Sequence, residues 1–390
     1  MRSRTRRIST RITHAILEGN DAETGQKRQS ACVQLPRSMV NFFSLWRLEL
    51  MLLRSNEFLA LRRGVWHLDD DAYEQSFRTQ HDNPPHTSED ERPAPSLVPL
   101  GNLGYSGSTF FKTSDGKFLI KSLDRHFEHQ FFMHELLTPY IIHMWENPDS
   151  LLVRVTDLLC VPYPTLGGLL GIEPTHHVVM ENLLYGLDVD SDTARYETYD
   201  LKPNDYFFPE RDIANGRLAP QSVKDRLVDR FPDRIRVSQQ ATEELLALLS
   251  TDTEFLADSN VLDYSFFLVR YARSRESHFD VFNPFSTQTS SAERQTNSWR
   301  TGVVSSDGQW VYRAILLDFF WARHKLRAKA MAGLVATFNT WAGYGPMTIT
   351  TEPSEYRARF MRMVKKLVGE NSPEEEYDAG RSADAVSDIL

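Results

Sequence analysis

Two aspartates adjoin apolar segments that the sequence predicts to be buried β-strands. Asp263 precedes the run Tyr264–Leu268, and Asp318 ends the run Ala314–Leu317. A carboxylate at the mouth of a buried strand is costly to desolvate unless it binds something. Upstream of both lie a Gly- and Ser-containing hairpin and Lys121, which ends another apolar strand. A phosphate-covering loop, a lysine and two separate aspartates are parts that phosphoryl transfer uses.

The residues before Lys121 predict a loop whose backbone can approach a phosphate group closely. Glycine lacks a Cβ atom, and a serine hydroxyl can donate a hydrogen bond to phosphate. The chain then runs through a strand, an Asp115-Gly116 turn and a second strand, which is typical of a β-hairpin. The predicted loop residues are Gly104, Ser106, Gly107 and Ser108.

Composition bounds the class of protein. The chain has 390 residues and a formal net charge of −9, which argues against a general nucleic-acid binder. Its two cysteines make a disulfide framework unlikely and favour a reducing compartment. No apolar run is long enough to span a bilayer, and no apolar core follows the basic N-terminus as a secretory signal would require. These features favour a cytoplasmic location.

The first 37 residues are polar and basic, and no acid precedes Glu18. Residues 1–37 are therefore predicted to form a disordered basic tail. A tether to anionic lipid and a mitochondrial presequence are the two other interpretations. The arginines that define this segment are Arg2, Arg4, Arg6, Arg7 and Arg11.

The remainder of the chain is predicted to form two lobes. Residues 38–182 form the N-terminal lobe, with a helical lead-in and a disordered insert near 78–96. Residues 183–368 form the C-terminal lobe, with a polar insert near 278–300. An acidic disordered tail follows at 369–390.

Periodicity assigns several elements within these lobes. We predict helices over 127–145, 237–256 and 352–368, the first of them broken near Pro139. An apolar run predicts a strand over 151–155.

Six segments together resemble the motifs of the phosphatidylinositol phosphate kinases, in the order in which that family carries them. The segment around Asp263-Tyr264-Ser265 is the most specific of the six. The resemblance implies an α+β, two-lobed, protein-kinase-like fold, with an antiparallel sheet in the N-lobe and a mixed α/β C-lobe. The segments are Ser106–Phe111, Phe118–Ser122, Val178–Asn182, Tyr199–Lys202, Asn260–Leu268 and Leu316–Asp318.

The resemblance implies that the chain binds ATP through its N-terminal lobe. Lys121 would hold the phosphates, beneath the loop formed by Gly104, Ser106, Gly107 and Ser108. Met180 and Asn182 would lie beside the adenine, whose edge the backbone would hold.

The resemblance also implies which residues act on the lipid. Asp318 would bind Mg²⁺, and Asp263 would orient the inositol hydroxyl or accept its proton. Lys202 would contact the transferred phosphoryl group or the lipid phosphate. A basic segment containing Lys325, Arg327 and Lys329 would face the substrate and an anionic membrane surface, so that the protein is peripheral at a cytosolic membrane face. Whether the chain forms a homodimer stays open.

Two positions depart from the family's pattern. Pro203 replaces the glycine that follows the family's Asp-Leu-Lys, and proline fixes φ and removes a donor. The helix glutamate that pairs with the strand lysine falls at Phe131 or Phe132, with Glu128 and Glu135 about one turn away on either side. These departures keep open a catalytically weak kinase-fold binding module, and a kinase of a soluble inositol phosphate is a further alternative.

The position of phosphorylation is predicted from the activation segment. Within the family, a paired-lysine stretch is followed by Glu in kinases acting on the 4-phosphate and by Ala in kinases acting on the 5-phosphate. An ungapped count from Asp318 places Ala330 at this position, which favours the 5-phosphate class. Other segments, including Asp69–Tyr73, resemble the first class. We therefore predict that phosphatidylinositol 4-phosphate is converted to the 4,5-bisphosphate.

Overall fold

Antiparallel strands form the framework of both parts of the chain. The computed structural model describes residues 2–19, 49–78, 96–100, 108–163, 165–169, 173–187, 196–203, 231–273, 298–322 and 352–369. These residues fall into two compact units. The first unit contains the described residues up to Pro148 and those from Val153 to Leu187, and the second contains Asp149–Leu152 and the described residues from Tyr196 onward.

The first unit is built on a six-stranded sheet. Its strands are β1 (Met51–Leu52), β2 (Leu97–Pro99), β3 (Phe110–Thr113), β4 (Phe118–Ser122), β5 (Val155–Cys160) and β6 (His176–Glu181). They lie in the order β1-β5-β6-β4-β3-β2, and every neighbouring pair is antiparallel. The predicted β3–β4 hairpin forms, and Gly116 adopts a φ of 78° in its turn, where a Cβ atom would be strained.

Six α-helices accompany this sheet among the described residues, with π-helical turns at Leu61–Val65 and Phe132–Leu136. They are α1 (Arg2–Glu18), α2 (Ser55–Ala60), α3 (Asp70–Gln75), α4 (His126–Phe131), α5 (Leu137–Glu146) and α6 (Leu166–Leu169). Asp69 caps α3 by accepting a hydrogen bond from the Ala72 N–H at 3.0 Å. Beneath the sheet, Tyr73, Phe77 and Phe118 pack ring against ring. None of the described helices is both long and apolar enough to cross a bilayer.

The prediction of a disordered tail is wrong for Arg2–Glu18, which forms α1. Four apolar residues bury one side of this helix: Ile8, Ile12, Ala15 and Ile16. Because these residues recur at helical spacing, they form a narrow stripe that the surrounding arginines obscure in the sequence. The helix contacts both β1 and β2. Arg7 lies 3.5 Å from the carboxylate of Glu173, whose side chain is fully buried.

The helix predicted over 127–145 forms as α4, a π-helical turn at Phe132–Leu136 and α5. It does not break at Pro139. This proline lies in the first turn of α5, where the hydrogen-bonding pattern changes from π to α and a missing N–H is tolerated. The change of helix type takes the place of the predicted break.

Where it is described, the second unit contains two smaller sheets and two long helices. The strands are β7 (Tyr196–Leu201), β8 (Val261–Leu262), β9 (Ser265–Ala272), β10 (Val303–Val304), β11 (Trp310–Leu317) and β12 (Trp321–Ala322). One sheet has the order β10-β11-β9-β7, and β12 pairs with β8. Helices α7 (Gln239–Asp258) and α8 (Pro353–Leu367) pack against each other and confirm the predicted helices at 237–256 and 352–368.

The segment Asp149–Leu152 belongs to the second unit, and the strand predicted over 151–155 begins only at Val155. Asp252, buried in α7, accepts hydrogen bonds from the Ser150 hydroxyl at 2.7 Å and from the Leu151 N–H at 2.6 Å. Arg300 donates to the Leu152 carbonyl at 3.0 Å. These charged partners satisfy backbone groups that the prediction had assigned to a strand ladder.

The end of the predicted polar insert at 278–300 is also ordered. Trp299 is fully buried and donates from Nε1 to the Ala241 carbonyl at 2.9 Å. Residues 274–297 lie outside the described residues, as do 79–95 of the first predicted insert.

Candidate active site

Three strands of the second unit bring their polar ends to one edge of the sheet. Strands β7 and β9 pair antiparallel with Leu201 opposite Phe266, and β9 pairs with β11 with Ser265 opposite Leu317. The last residues of β7 and β11 therefore lie beside the first residue of β9. The next residues along the chain are Lys202 after β7 and Asp318 after β11, and Asp263 comes just before β9.

The two predicted aspartates occupy matching turns, between the eight-pair ladder of β9 with β11 and the two-pair ladder of β8 with β12. Strands β8 and β12 pair with Leu262 opposite Trp321, so the two segments pair again beyond the turns. Asp263 has a φ of 67° and Asp318 a φ of 61°. A left-handed backbone is uncommon outside glycine and is favoured by aspartate and asparagine among the other residues. Such conformations cluster at functional sites, which supports the prediction that these two residues carry chemistry.

Lys202 and Asp263 form an ion pair, with Nζ and Oδ1 separated by 2.7 Å. Both side chains are largely buried, with exposed fractions of 12% and 20%. Burial lowers the pKa of Lys202, but the carboxylates of Asp263, Asp200 and Asp318 raise it by more, so the pKa lies above its ordinary value. The lysine is therefore charged at neutral pH and holds the Asp263 carboxylate in a fixed direction.

Asp200 is a further member of this cluster that the sequence analysis did not single out. It lies in β7, two residues before Lys202, and is exposed to solvent. Electrostatic interactions join it to Lys202, Asp318 and Asp263. Strand alternation is the sequence signal that could have identified Asp200, because residues two apart along a strand point to the same face and Lys202 lies two residues after Asp200. The structure thus brings one lysine and three carboxylates to a single edge.

Lys121 lies in the first unit, in β4, as predicted. Its side chain is buried, with a residue exposure of 8%, and its register partner is Phe110 of β3. The ammonium nitrogen lies 5.8 Å from the centre of the Phe110 ring, within the range of a cation–π interaction. Ser108, the one predicted loop residue that the structure describes, is also buried.

Met180 and Asn182 lie at the end of β6, and both are buried. Asn182 donates from Nδ2 to the Gly116 carbonyl at 2.7 Å, and its Oδ1 accepts from the Leu184 N–H at 3.1 Å. Its backbone N–H donates to the Lys117 carbonyl at 2.9 Å. This side chain fastens the end of β6 to the β3–β4 turn, a role that the sequence did not reveal.

The predicted glutamate slot on the small helix is apolar in the structure. Phe131 and Phe132 are both buried. Glu128 forms an ion pair with Arg125, with 3.5 Å between the charged atoms, and Glu135 is exposed. The departure from the family's pattern is therefore a packed aromatic pair at this place.

Several predicted site residues lie outside the described residues. They are Gly104, Ser106 and Gly107 of the phosphate loop, and Lys325, Arg327, Lys329 and Ala330 of the basic segment.

The oxygen atoms at this sheet edge decide whether its residues fit a metal ion. Within the ranges that the structure describes, no group of three or more His, Cys, Asp or Glu residues could by itself hold a metal. Mg²⁺ keeps several waters and is bound by one or two carboxylates together with substrate phosphates. The carboxylates of Asp200 and Asp318 fit that requirement, because hard oxygen ligands are what Mg²⁺ prefers.

Strand-end carboxylates beside a buried lysine, together with a strand lysine in an antiparallel sheet, are features of kinase-like folds. The sequence model of one such family, phosphatidylinositol-4-phosphate 5-kinase, matches residues 93–367. The chain belongs to this family, and the family implies the kinase-like fold.

Individual relatives carry the same description. The chain is 31% identical over 302 residues to a phosphatidylinositol 4-phosphate 5-kinase of Plasmodium falciparum, in a match that covers 69% of this chain and 16% of the relative. It is 31% identical over 175 residues to the human type-1 beta enzyme, covering 44% of this chain and 29% of the relative. The rat type-1 alpha enzyme is 29% identical over 169 residues, covering 43% and 28%. The chain thus spans less than a third of the length of these relatives.

Proposed function

We propose that this protein is an ATP-dependent lipid kinase that phosphorylates the inositol headgroup of phosphatidylinositol 4-phosphate at the 5-position. The observation that carries the proposal is the Lys202–Asp263 ion pair, with Asp318 and Asp200 at the same sheet edge. The names of the relatives support the substrate and the position. The two units would correspond to the N- and C-terminal lobes of a kinase.

In this proposal Asp263 accepts the proton of the attacking inositol hydroxyl or orients that hydroxyl. Lys202 holds the carboxylate in place and would also contact the phosphoryl group in transfer. Lys121 would hold the ATP phosphates, and Met180 and Asn182 would lie at the adenine. Catalysis then consists mainly of positioning and charge neutralisation.

Asp318 and Asp200 are the residues that would hold magnesium. When bound, the ion neutralises charge on the β- and γ-phosphates. Asp318 directly follows β11, and strand alternation would direct the Asp200 side chain to the same side as Lys202. Lys202 balances part of the negative charge of the three carboxylates when no substrate is present.

Membrane contact is a second part of the proposal. Arg362, Lys365 and Lys366 are exposed on α8, where each basic residue near an anionic surface contributes up to about 1 kcal/mol of binding free energy. Arg357 does not belong to this set, because it donates to the Ser250 carbonyl of α7 at 3.1 Å. We propose peripheral binding at a cytosolic membrane face, tested by co-sedimentation with anionic vesicles at rising salt. Binding that ignores both lipid charge and salt would contradict it.

The kinase proposal is tested by phosphate transfer from radiolabelled ATP. Vesicles containing phosphatidylinositol 4-phosphate or 5-phosphate and a soluble inositol phosphate would be compared, with positional analysis of the product. We expect transfer to the 4-phosphate lipid, abolished by Asp263→Asn and retained by Asp258→Asn, which changes an exposed aspartate on α7 outside the cluster. Transfer to the soluble compound alone would assign the function to that alternative.

The other possible outcome is a catalytically weak binding module. The packed Phe131–Phe132 pair leaves it open, because it occupies the position of the family's helix glutamate. A thermal shift with ATP and magnesium but no transfer to any acceptor would favour it. If the protein shows no thermal shift with ATP and magnesium and no phosphate transfer, the kinase proposal is removed.

A further inference from the structure

A tyrosine on the last described helix makes a hydrogen bond beside Asp263. Tyr356 of α8 is fully buried, and its hydroxyl donates to the backbone carbonyl of Tyr264 at 2.5 Å. That carbonyl belongs to the residue directly after Asp263. Because Tyr264 lies between β8 and β9, its carbonyl is outside both strand ladders and requires another partner.

The rings around this hydrogen bond are closely packed. The ring of Tyr356 meets that of Tyr264 edge to face, with 4.7 Å between centroids and 79° between planes. Phe360, one helical turn later, lies 5.0 Å from the Tyr264 ring. Aromatic pairs of this geometry restrict one another more than apolar contact alone would.

Helix α8 is itself fixed against the rest of the second unit. Arg357, the next residue after Tyr356, bonds to the Ser250 carbonyl of α7 at 3.1 Å. At the other end of α8, the Leu367 carbonyl accepts from the Ile235 N–H at 2.8 Å. The Tyr356 hydroxyl is therefore held by a braced helix and not by a mobile loop.

The hydroxyl contacts the residue that directly follows a left-handed one. A left-handed conformation is unfavourable for a residue other than glycine, so the Asp263 turn needs outside contacts to stay in place. The side chain of Asp263 meets Lys202 on one side, and its backbone is held through Tyr264 on the other. The direction of the carboxylate depends on both attachments.

We infer that Tyr356 is a positioning residue for Asp263. It touches neither substrate nor the reacting atoms. It fixes the peptide that follows Asp263, so that the carboxylate remains aligned with Lys202 during proton transfer. The kinetic part of this inference rests on the proposed kinase function, whereas the structural part does not.

The test is Tyr356→Phe, which keeps the ring and removes the hydroxyl. We expect kcat for lipid phosphorylation to fall about tenfold, the factor that corresponds to one lost hydrogen bond of ordinary strength, while the KM for ATP stays unchanged. Hydrogen exchange in the peptide spanning Leu262–Phe266 should become faster. The control is Tyr140→Phe in the first unit, which also removes a buried hydroxyl: this hydroxyl donates to the Val153 carbonyl at 2.9 Å and accepts from the Val155 N–H at 2.9 Å.

Tyr140→Phe should lower the melting temperature at least as much as Tyr356→Phe does, because two hydrogen bonds are lost, and should leave both kcat and exchange at Leu262–Phe266 within twofold. Wild-type kcat in Tyr356→Phe, an equal kcat loss in the control, or unchanged exchange would each overturn the inference. If the wild-type chain transfers no phosphate, the proposed function fails. The exchange measurement then still decides whether Tyr356 holds the turn, because it needs no turnover.

Discussion

The turns at Asp263 and Asp318 share a backbone conformation but differ in the contacts of the residues that adjoin them. Polar groups anchor the Asp263 turn: the Lys202 ammonium at its carboxylate and the Tyr356 hydroxyl at the following carbonyl. Apolar groups anchor the Asp318 turn, where Phe319 and Phe320 are buried, with 5.2 Å between ring centroids and 28° between planes.

The difference fits the roles that we propose for the two carboxylates. A group that exchanges a proton with one hydroxyl needs a fixed direction, which charged and hydrogen-bonded partners supply. A group that binds a hydrated cation needs a stable backbone position, which the buried rings beside Asp318 can supply. Equal φ angles at the two turns are thus compatible with different roles.

The largest effects should come from removing either negative charge. We expect Asp263→Asn to lower kcat by roughly 10³-fold or more, because the amide cannot accept the proton. Asp318→Asn should lower kcat comparably but should also raise the magnesium concentration needed for half-maximal rate. Steady-state kinetics at several magnesium concentrations separates the two. An unchanged magnesium requirement in Asp318→Asn would remove the assigned difference between the turns.

Truncating the apolar anchor should act on stability. Phe319→Ala removes a fully buried ring, and we expect the free energy of unfolding to fall by about 3 kcal/mol or more. Urea denaturation measures this change. A loss below about 1 kcal/mol would show that the Asp318 turn does not depend on its rings.

Breaking the polar anchor should lower the free energy of unfolding less than Phe319→Ala does, but should lower the activity more. In Lys202→Met we expect a loss of about 2 kcal/mol in unfolding free energy, because the largely buried Asp263 carboxylate loses its cation. The folded pKa of Lys202 is raised, so this contribution is complete below the unfolded value near 10.4 and fades only as pH rises through the folded value. The stability difference from wild type should therefore be constant between about pH 7 and 9.5. A difference that shrinks within that window would contradict the ion pair.

The smallest effect should come from the tyrosine of the motif itself. Among the described residues, the Tyr264 hydroxyl is buried and has no hydrogen-bond partner. Tyr264→Phe should leave the free energy of unfolding unchanged or raise it by up to about 1 kcal/mol, since an unsatisfied buried group is removed. Thermal melting of Tyr264→Phe and Tyr356→Phe side by side makes the comparison. A clear loss of stability in Tyr264→Phe would contradict the prediction.

Local patterns in the sequence were sufficient for many elements of the fold. The Asp115-Gly116 turn, the helices that became α7 and α8, and the strands that end before Asp318 and begin after Asp263 all followed from short-range signals. Such signals work because alternation, helical spacing and capping each depend on residues only a few positions apart.

Other features depended on partners far away in the chain. The stripe in α1 is narrow and became interpretable only where it contacts β1 and β2. Asn182 fits a nucleotide-binding strand end by its motif, yet its amide bonds to Gly116, 66 positions away. Asp200 joined the cluster only because β7 pairs with β9 in one register.

By itself, the sequence determined which residue types could transfer phosphate and where strands place them, because the apolar runs before Asp318 and after Asp263 specify strands locally. Only the tertiary structure decided that Lys202 pairs with Asp263 and that Tyr356 bonds to the Tyr264 carbonyl. Those contacts join residues 61 and 92 positions apart. The physical reason is that the register of antiparallel strands and the packing of α8 against α7 set these distances, and neither leaves a periodic trace in the chain.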